Sequence, residues 1–334
     1  MLFLRKPYDQ HSHSFHGEDK LSLSNPLVTG AGGFVGSHLV RRLSSHPQTK
    51  IIYAADLPNS PRLRELSKLP KVKTIELDLK DSRSSDLLPN SVSAVFALAA
   101  LNGTSRFYSQ PWTVLESSTL PTMLVVRKYA GIAPILYSSS SEVYANTVEC
   151  GLAVVPTPED VSLSIGDIHN PRWSYAMAKM YGEMALTSAS VEWNLQGSIV
   201  RYHNVYGRDM GLDHFIPDFM ERVMSGNAEV FGGTNTRSFL HIDDAVEGTI
   251  LALEKASPQV PLFHLGTSEE MTIEAAARII LNIMGRSELK LKIHEAPAGS
   301  VSRRCPEISK ALSVLGWSPV VTFEQGIASM LITN

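Results

Sequence analysis

The chain predicts an α/β fold: a doubly wound parallel sheet with a smaller C-terminal lobe beside the sheet's ligand-binding edge. Two observations carry that expectation. From Pro26 onward, short apolar runs alternate with helical patterns, the order that parallel strands and crossover helices require. The first apolar run then ends in Thr29-Gly-Ala-Gly-Gly-Phe-Val-Gly36, a glycine-rich turn set between a strand and a helix.

Taken in order, Leu27–Thr29 reads as a short buried strand, followed by a helix over 34–45 and a second strand over 51–56. Residues 74–77, 94–98 and 134–137 are the next strands, separated by polar or helical segments. The stretch 111–130 is expected to form one crossover helix, although Pro121 leaves its local geometry open. A helix starting near Arg172 carries Tyr175 and Lys179, and a strand over 196–201 follows. Beyond Gly207 the elements shorten and Gly, Pro and Asp interrupt them. The expected division is a flexible tail over 1–25, a Rossmann-type domain over 26–207 and a mainly substrate-binding lobe over 208–334, some of it returning to the sheet.

Bulk properties narrow the function classes. A chain of 334 residues that is 43% hydrophobic can bury the core of one large or two modest domains. Its net charge of −3 argues against nucleic acid or an anionic membrane as the main partner. Cys150 and Cys305, far apart in sequence, suit a reducing compartment, so a cytoplasmic location is expected. No run reaches the length of a membrane span, and the N-terminal segment lacks the pattern of a signal peptide. Its histidines, His11, His13 and His16, read as part of a solvated tail, with metal binding as the alternative.

The glycine turn points to a dinucleotide. Gly30, Gly33 and Gly36 permit a tight turn, close approach of backbone to a pyrophosphate, and close packing of helix on strand. Phe34 and Val35 open the helix whose free N–H groups face the phosphates. Asp56, at the end of the second strand, can accept from the adenosine ribose hydroxyls and would repel a 2′-phosphate, favouring NAD over NADP. Arg41 and Arg42 are read as coating the surface of the first helix. Asp78, after the third strand, either meets the adenine or caps the following turn, and Leu79 and Leu98 are expected in the same crevice.

Tyr175 and Lys179 are four residues apart, about one helical turn, so phenol and ammonium share a helix face. A free phenol with a pKa near ~10 is a poor base, and a neighbouring ammonium stabilises its phenolate. Such a phenolate can take a proton from a sugar hydroxyl while the carbon beneath gives up hydride. An ordinary surface pair at this spacing is the alternative, and the glycine turn upstream decides against it.

With these motifs in place, the chain resembles the extended short-chain dehydrogenase/reductase family, the nucleotide-sugar epimerases, dehydratases and decarboxylases. The resemblance runs from about Leu27 to Ala328. Tyr137-Ser-Ser-Ser-Ser-Glu-Val-Tyr144 looks like the strand-end motif that supplies the catalytic serine or threonine, here Ser140. Tyr175 and Lys179 match the family's Tyr-x-x-x-Lys pair, and Arg201-Tyr-His-Asn-Val-Tyr-Gly207 matches the loop whose asparagine, Asn204, meets the nucleotide sugar. Arg237-Ser-Phe-Leu-His-Ile-Asp-Asp244 matches the segment whose arginine grips the diphosphate, with an ion pair to Asp243 or Asp244 as the alternative for Arg237. His203 and His241 are expected to serve structure. Ser118 stands where the family often has asparagine, and the long segment 143–174 suggests a lid or specificity loop.

The resemblance implies NAD as cofactor, a nucleotide-diphosphate sugar as substrate, and a homodimer. The dimer would form through the two long helices, with Met123, Leu124 and Val126 against Met177, Met180 and Met184, or the same residues facing the sheet. Oxidation at sugar C4 opens three routes: epimerisation, loss of water, or loss of carbon dioxide from a uronate. Ser141-Glu142 beside Ser140 lacks the acid of the dehydratases and resembles the uronate decarboxylases, as does Arg303-Arg-Cys-Pro, which aligns Arg304 with a decarboxylase arginine. Glu142 can also cap the following loop. Epimerisation asks for the fewest groups and is placed first, decarboxylation second, dehydration third. A non-catalytic dinucleotide-binding role would be expected to lose the tyrosine or the lysine, and both are present.

Overall fold

The structure is a computed structural model that describes residues 22–296 and 300–332. The expected tail, with His11, His13 and His16, lies almost wholly outside the described residues. Seven strands form the central sheet: β1 (Leu27–Thr29), β2 (Ile52–Asp56), β3 (Val72–Glu76), β4 (Val95–Ala97), β5 (Ile135–Ser140), β6 (Gly197–Tyr202) and β7 (Leu262–Leu265). Their order is β7-β6-β5-β4-β1-β2-β3, and every neighbouring pair is parallel. The order reverses between β1 and β4, which opens a crevice at the carboxyl ends of those strands.

Helices cover both faces of the sheet, so its central strands β1 and β4 are buried at every residue rather than at alternate ones. On one face the Phe34–Ser44 and Ile242–Leu253 helices bury Leu39, Val40, Val246 and Ile250. On the other, the Pro111–Tyr129 and Trp173–Trp193 helices lie side by side and bury Val125, Val126, Leu186 and Ala189. The second helix closes on β5 at Gly182, where a Cβ would stand 2.1 Å from the Tyr137 ring. That approach seats Lys179, one turn earlier, over the same ring at 5.0 Å. A separate core around Phe219, Ile280 and Phe323 holds the C-terminal lobe together.

Two expectations change and two are completed. β3 begins at Val72 rather than residue 74, because this edge strand is half exposed and the exposed Lys73 interrupts its apolar reading. The returning segment is β7, which pairs with β6. The helix runs unbroken through Pro121, which is buried. The segment 143–174 is no lid: none of its residues lines the cleft. It is instead tied to β6, β7 and the C-terminal region, by Arg201 to the Glu159 carbonyl at 3.0 Å, by the His264 amide to the Glu159 carboxylate at 3.1 Å, and by a bridge from Thr157 to Pro306.

Candidate active site

A cleft of about 800 Å³ runs along the carboxyl edge of the sheet. The glycine turn, the ends of β2 to β6 and, from the lobe, Met210, Phe215 and Arg304 form its walls. Gly30 has φ +69°, and a Cβ there would reach 2.8 Å from the Ala99 amide nitrogen. A Cβ on Gly36 would lie 2.1 Å from the Gly30 carbonyl oxygen. The turn is therefore a bare-backbone cradle, and Gly33, Phe34 and Val35 line the cleft with it.

Asp56 accepts from the Gly32 amide at 2.6 Å and from the Leu57 amide at 2.7 Å. Burial raises its pKa, and these amide bonds oppose the rise. Arg41 pairs with Glu65 at 3.5 Å and Arg42 with Glu247, both outside the cleft lining, while Arg62 lines the cleft and donates to the Asp209 carbonyl. A ribose diol suits this corner better than a 2′-phosphate. Asp78, Leu79 and Leu98 all line the cleft. Asp78 also accepts from the Lys80 amide at 2.9 Å, so it does turn work, but the cap of the following 3₁₀ helix is Asp81.

Ser140, at the end of β5, and Tyr175 and Lys179 meet at the inner end of the cleft. Tyr175 is buried and stacked on Phe107 at 5.0 Å between ring centroids. Burial first, then the charge of Glu142, push its pKa above the ordinary tyrosine value, while a hydrogen bond with Ser140 pulls it down. Lys179 donates to the Ser138 carbonyl at 2.6 Å and lies 5.6 Å from the Tyr175 ring centroid. Burial lowers its pKa to about 7, against the upward pull of Glu183. At neutral pH the cleft thus holds a protonated phenol beside a partly charged amine.

Next to Ser140 stands a charge cluster. One oxygen of Glu142 takes Arg304 at 2.7 Å and the other takes Arg172 at 3.3 Å. Burial alone would raise the Glu142 pKa, but Arg304, Arg172 and then Arg237 hold it below the usual carboxylate value. Arg237 faces Arg304 in strand register and does not itself line the cleft. Burial and the Arg304 charge lower its pKa to about 9. Asp243 is paired with His241 at 3.6 Å, and Asp244 accepts from the amides of Val320 and Val321. Neither is spent on Arg237.

Asn204 lines the cleft in the left-handed region, φ +40°, and its amide donates to the Ser238 carbonyl at 2.8 Å. Ser118 accepts from the Leu101 amide at 3.2 Å and steadies the loop after β4. His203 and His241 do not line the cleft. His203 is bonded to the Tyr144 hydroxyl at 3.2 Å, and burial drives its pKa far down. Sequence reasoning missed Phe107 and Arg172. Arg172, three residues before Tyr175 at the helix entrance, carried a signal in its position alone.

Hydride transfer needs a dinucleotide cradle and, within reach of it, a phenol that can trade a proton with an alcohol; this crevice offers both. That defines a dinucleotide-dependent enzyme of sugar or alcohol chemistry. Comparison goes one step further: residues 26–266 match the model of the NAD dependent epimerase/dehydratase family, and the chain belongs to that family. Its cofactor is NAD, for which the glycine cradle and Asp56 are suited. A UDP-N-acetyl-alpha-D-glucosaminuronate decarboxylase of Bacillus cytotoxicus is 29% identical over 315 residues, covering 90% of this chain and 94% of that protein. A UDP-glucose 4-epimerase of Thermotoga maritima, solved with UDP-glucose, superposes with a TM-score of 0.80 at 25% identity, covering 92% and 97% of the two chains. A UDP-glucuronic acid 4-epimerase mutant of Bacillus cereus, solved with UDP-4-deoxy-4-fluoro-glucuronic acid and NAD, gives 0.79 at 25% identity over 91% and 97%. Among the described residues, no helix is long and apolar enough to cross a membrane.

Proposed function

We propose that the chain decarboxylates a nucleotide-sugar uronate by way of a 4-keto sugar. The observation that carries this reading is the buried Arg172–Glu142–Arg304 array beside Ser140 and Tyr175. Two guanidiniums on one carboxylate, with Arg237 beside them, leave positive charge in excess, which a uronate carboxylate offsets. A neutral hexose would leave that charge buried and unmatched. Asn204, which lines the cleft, is assigned to the sugar nucleotide; Arg237, expected on the diphosphate, stands behind Arg304 and is assigned to the charge cluster instead.

The Gly30–Gly36 cradle and Asp56 would hold NAD, which would supply a hydride acceptor and donor for sugar C4. Tyr175 must first release its own proton to solvent, a loss that the Lys179 ammonium makes less costly; as phenolate it then accepts the proton of the C4 hydroxyl, while Ser140 holds that oxygen by a hydrogen bond. The C4 ketone is β to the carboxylate, so the C5–C6 bond can break, carbon dioxide can leave, and the electron pair moves onto the C4 oxygen as an enolate. Ser140 and the protonated Tyr175 stabilise that oxygen. A proton then enters at C5, the ketone is reduced, and no net oxidant is consumed.

Epimerisation of the same uronate at C4 is the second reading, because it needs only Ser140, Tyr175 and Lys179, which the cleft brings together. It stood first on sequence; the charge cluster moves the preference. The test is incubation with NAD and UDP-glucuronate or UDP-N-acetylglucosaminuronate, with products read by mass and proton NMR. Loss of carbon dioxide supports decarboxylation. An isomer of unchanged mass with an inverted C4 proton overturns it in favour of epimerisation.

A further inference from the structure

Arg172 stands in an unfavourable place for a cation. It is the N-cap residue of the Trp173–Trp193 helix, makes no side-chain cap, and no acidic residue follows in the first turn. The helix dipole favours an anion there. Its side chain is only 9% exposed, and its Nε is buried without a hydrogen-bond partner among the described residues. A position this costly on local grounds needs a tertiary reason, and Glu142 supplies one.

The contacts fix the guanidinium closely. The Arg172 amide donates to the Asn170 side-chain oxygen at 3.1 Å, and its Cζ lies 4.8 Å from the Trp173 ring centroid. From there Nη2 reaches Glu142 Oε2, while Arg304 occupies the other oxygen. Glu142 is two residues after Ser140, and Arg172 is three before Tyr175. The bridge therefore joins the strand end that bears the serine to the helix that bears the phenol. Arg304 adds the lobe to the same carboxylate.

We infer that Arg172 is a positioning residue: it fixes the Glu142 carboxylate, and through it the spacing of Ser140 and Tyr175, for the reaction. The role rests on the decarboxylase reading for its chemical purpose, but not for its geometry. The groups facing Glu142 are Arg304 from the lobe, Arg237 beside it, Arg172, and Tyr175 on the helix. Removing Arg172 takes away the second-largest favourable charge on the carboxylate, so Glu142 then titrates at higher pH.

The experiment compares the full-length wild type with Arg172→Gln and Arg172→Lys. The Glu142 carboxyl is titrated by carbon NMR in glutamate-labelled protein, with Glu142→Gln assigning the signal. UDP-glucuronate turnover is followed across pH. Expected in Arg172→Gln are an upward shift of the Glu142 titration, a matching shift of the acidic limb of kcat, and a kcat about 10- to 100-fold lower. KM for the uronate should rise as well, because the cluster loses its excess positive charge, and Arg172→Lys should recover much of both losses. An unshifted Glu142 titration overturns the inference, and so does a raised KM with kcat intact, which would make Arg172 a substrate ligand. Should Arg172→Gln fail to fold, the lysine variant carries the same test. If UDP-glucuronate is not decarboxylated by the wild type, the function reading fails while the NMR titration still decides the role of Arg172.

Discussion

Glu183 and Arg201 form a two-pronged buried ion pair, Arg201 Nε and Nη2 each donating to a different carboxylate oxygen at 2.8 Å. Glu183 also accepts from Ser139 at 2.5 Å, and it lies one helical turn beyond Lys179. The pair thus pins the helix of the phenol and amine to β6 and to the residue beside Ser140. Removing one member of such a pair leaves a buried charge unmatched. We expect Glu183→Gln to cost about 3–5 kcal/mol in urea unfolding. Because Glu183 raises the Lys179 pKa, that variant should also lose charged lysine at lower pH than the wild type. A pH series of turnover should show its alkaline limb shifted down; an unshifted limb would reduce the pair to a structural clamp.

Lys179 itself links stability to pH. Its folded pKa of about 7 lies below the ordinary 10.5, so between those values the unfolded chain binds more protons than the folded one. Stability from this group therefore rises as pH climbs from about 7 and is lost as pH falls back. In Lys179→Met this contribution disappears. Urea unfolding at pH 7 and pH 9 should show the wild type gaining on the variant at the higher pH. A constant difference between the two would mean that the amine keeps its charge when buried.

What the sequence discloses of this site is what local chemistry dictates. The glycine turn, Asp56 at a strand end, and Tyr175 one turn from Lys179 are short-range patterns, and the fold brings them into one cleft. The Ser140-Glu142 stretch is equally local. The partners that tune those groups are not. Arg172 reaches Glu142 across 30 positions, and Ser139 reaches Glu183 across 44. No periodicity marks such pairs, since sheet order sets them. The long segment 143–174 misled for the same reason: its length suggested a lid, but contacts to β6, β7 and the C-terminal region set its place.

Asp56 should govern cofactor choice. Its carboxylate is fixed by the Gly32 and Leu57 amides at the corner where the adenosine ribose is expected. Asp56→Ser removes both the acceptor for the diol and the charge that repels a 2′-phosphate. We expect NAD affinity to fall about tenfold, roughly 1.4 kcal/mol, while NADP affinity holds or improves. Calorimetric titration with each dinucleotide reads this directly. An unchanged preference would shift the discrimination to Asp78 or to the helix entrance.

The outer surface of the paired long helices makes the last prediction. Met184 is 65% exposed and Val191 84%, with Met177, Tyr181, Leu120 and Trp112 also open to solvent. Of the residues read as facing either a partner or the sheet, Val126 is buried in the sheet core and Leu124 packs against it, so the candidate face lies further round both helices. Exposed apolar residues in this density on adjoining helices are costly for a lone subunit. A second copy, placing the same two helices against these, would form a four-helix interface with two-fold symmetry. Sedimentation should then give a dimer, and Met184→Glu with Val191→Glu should yield a folded monomer. A wild type that sediments as a monomer at micromolar concentration would assign this face to some other partner.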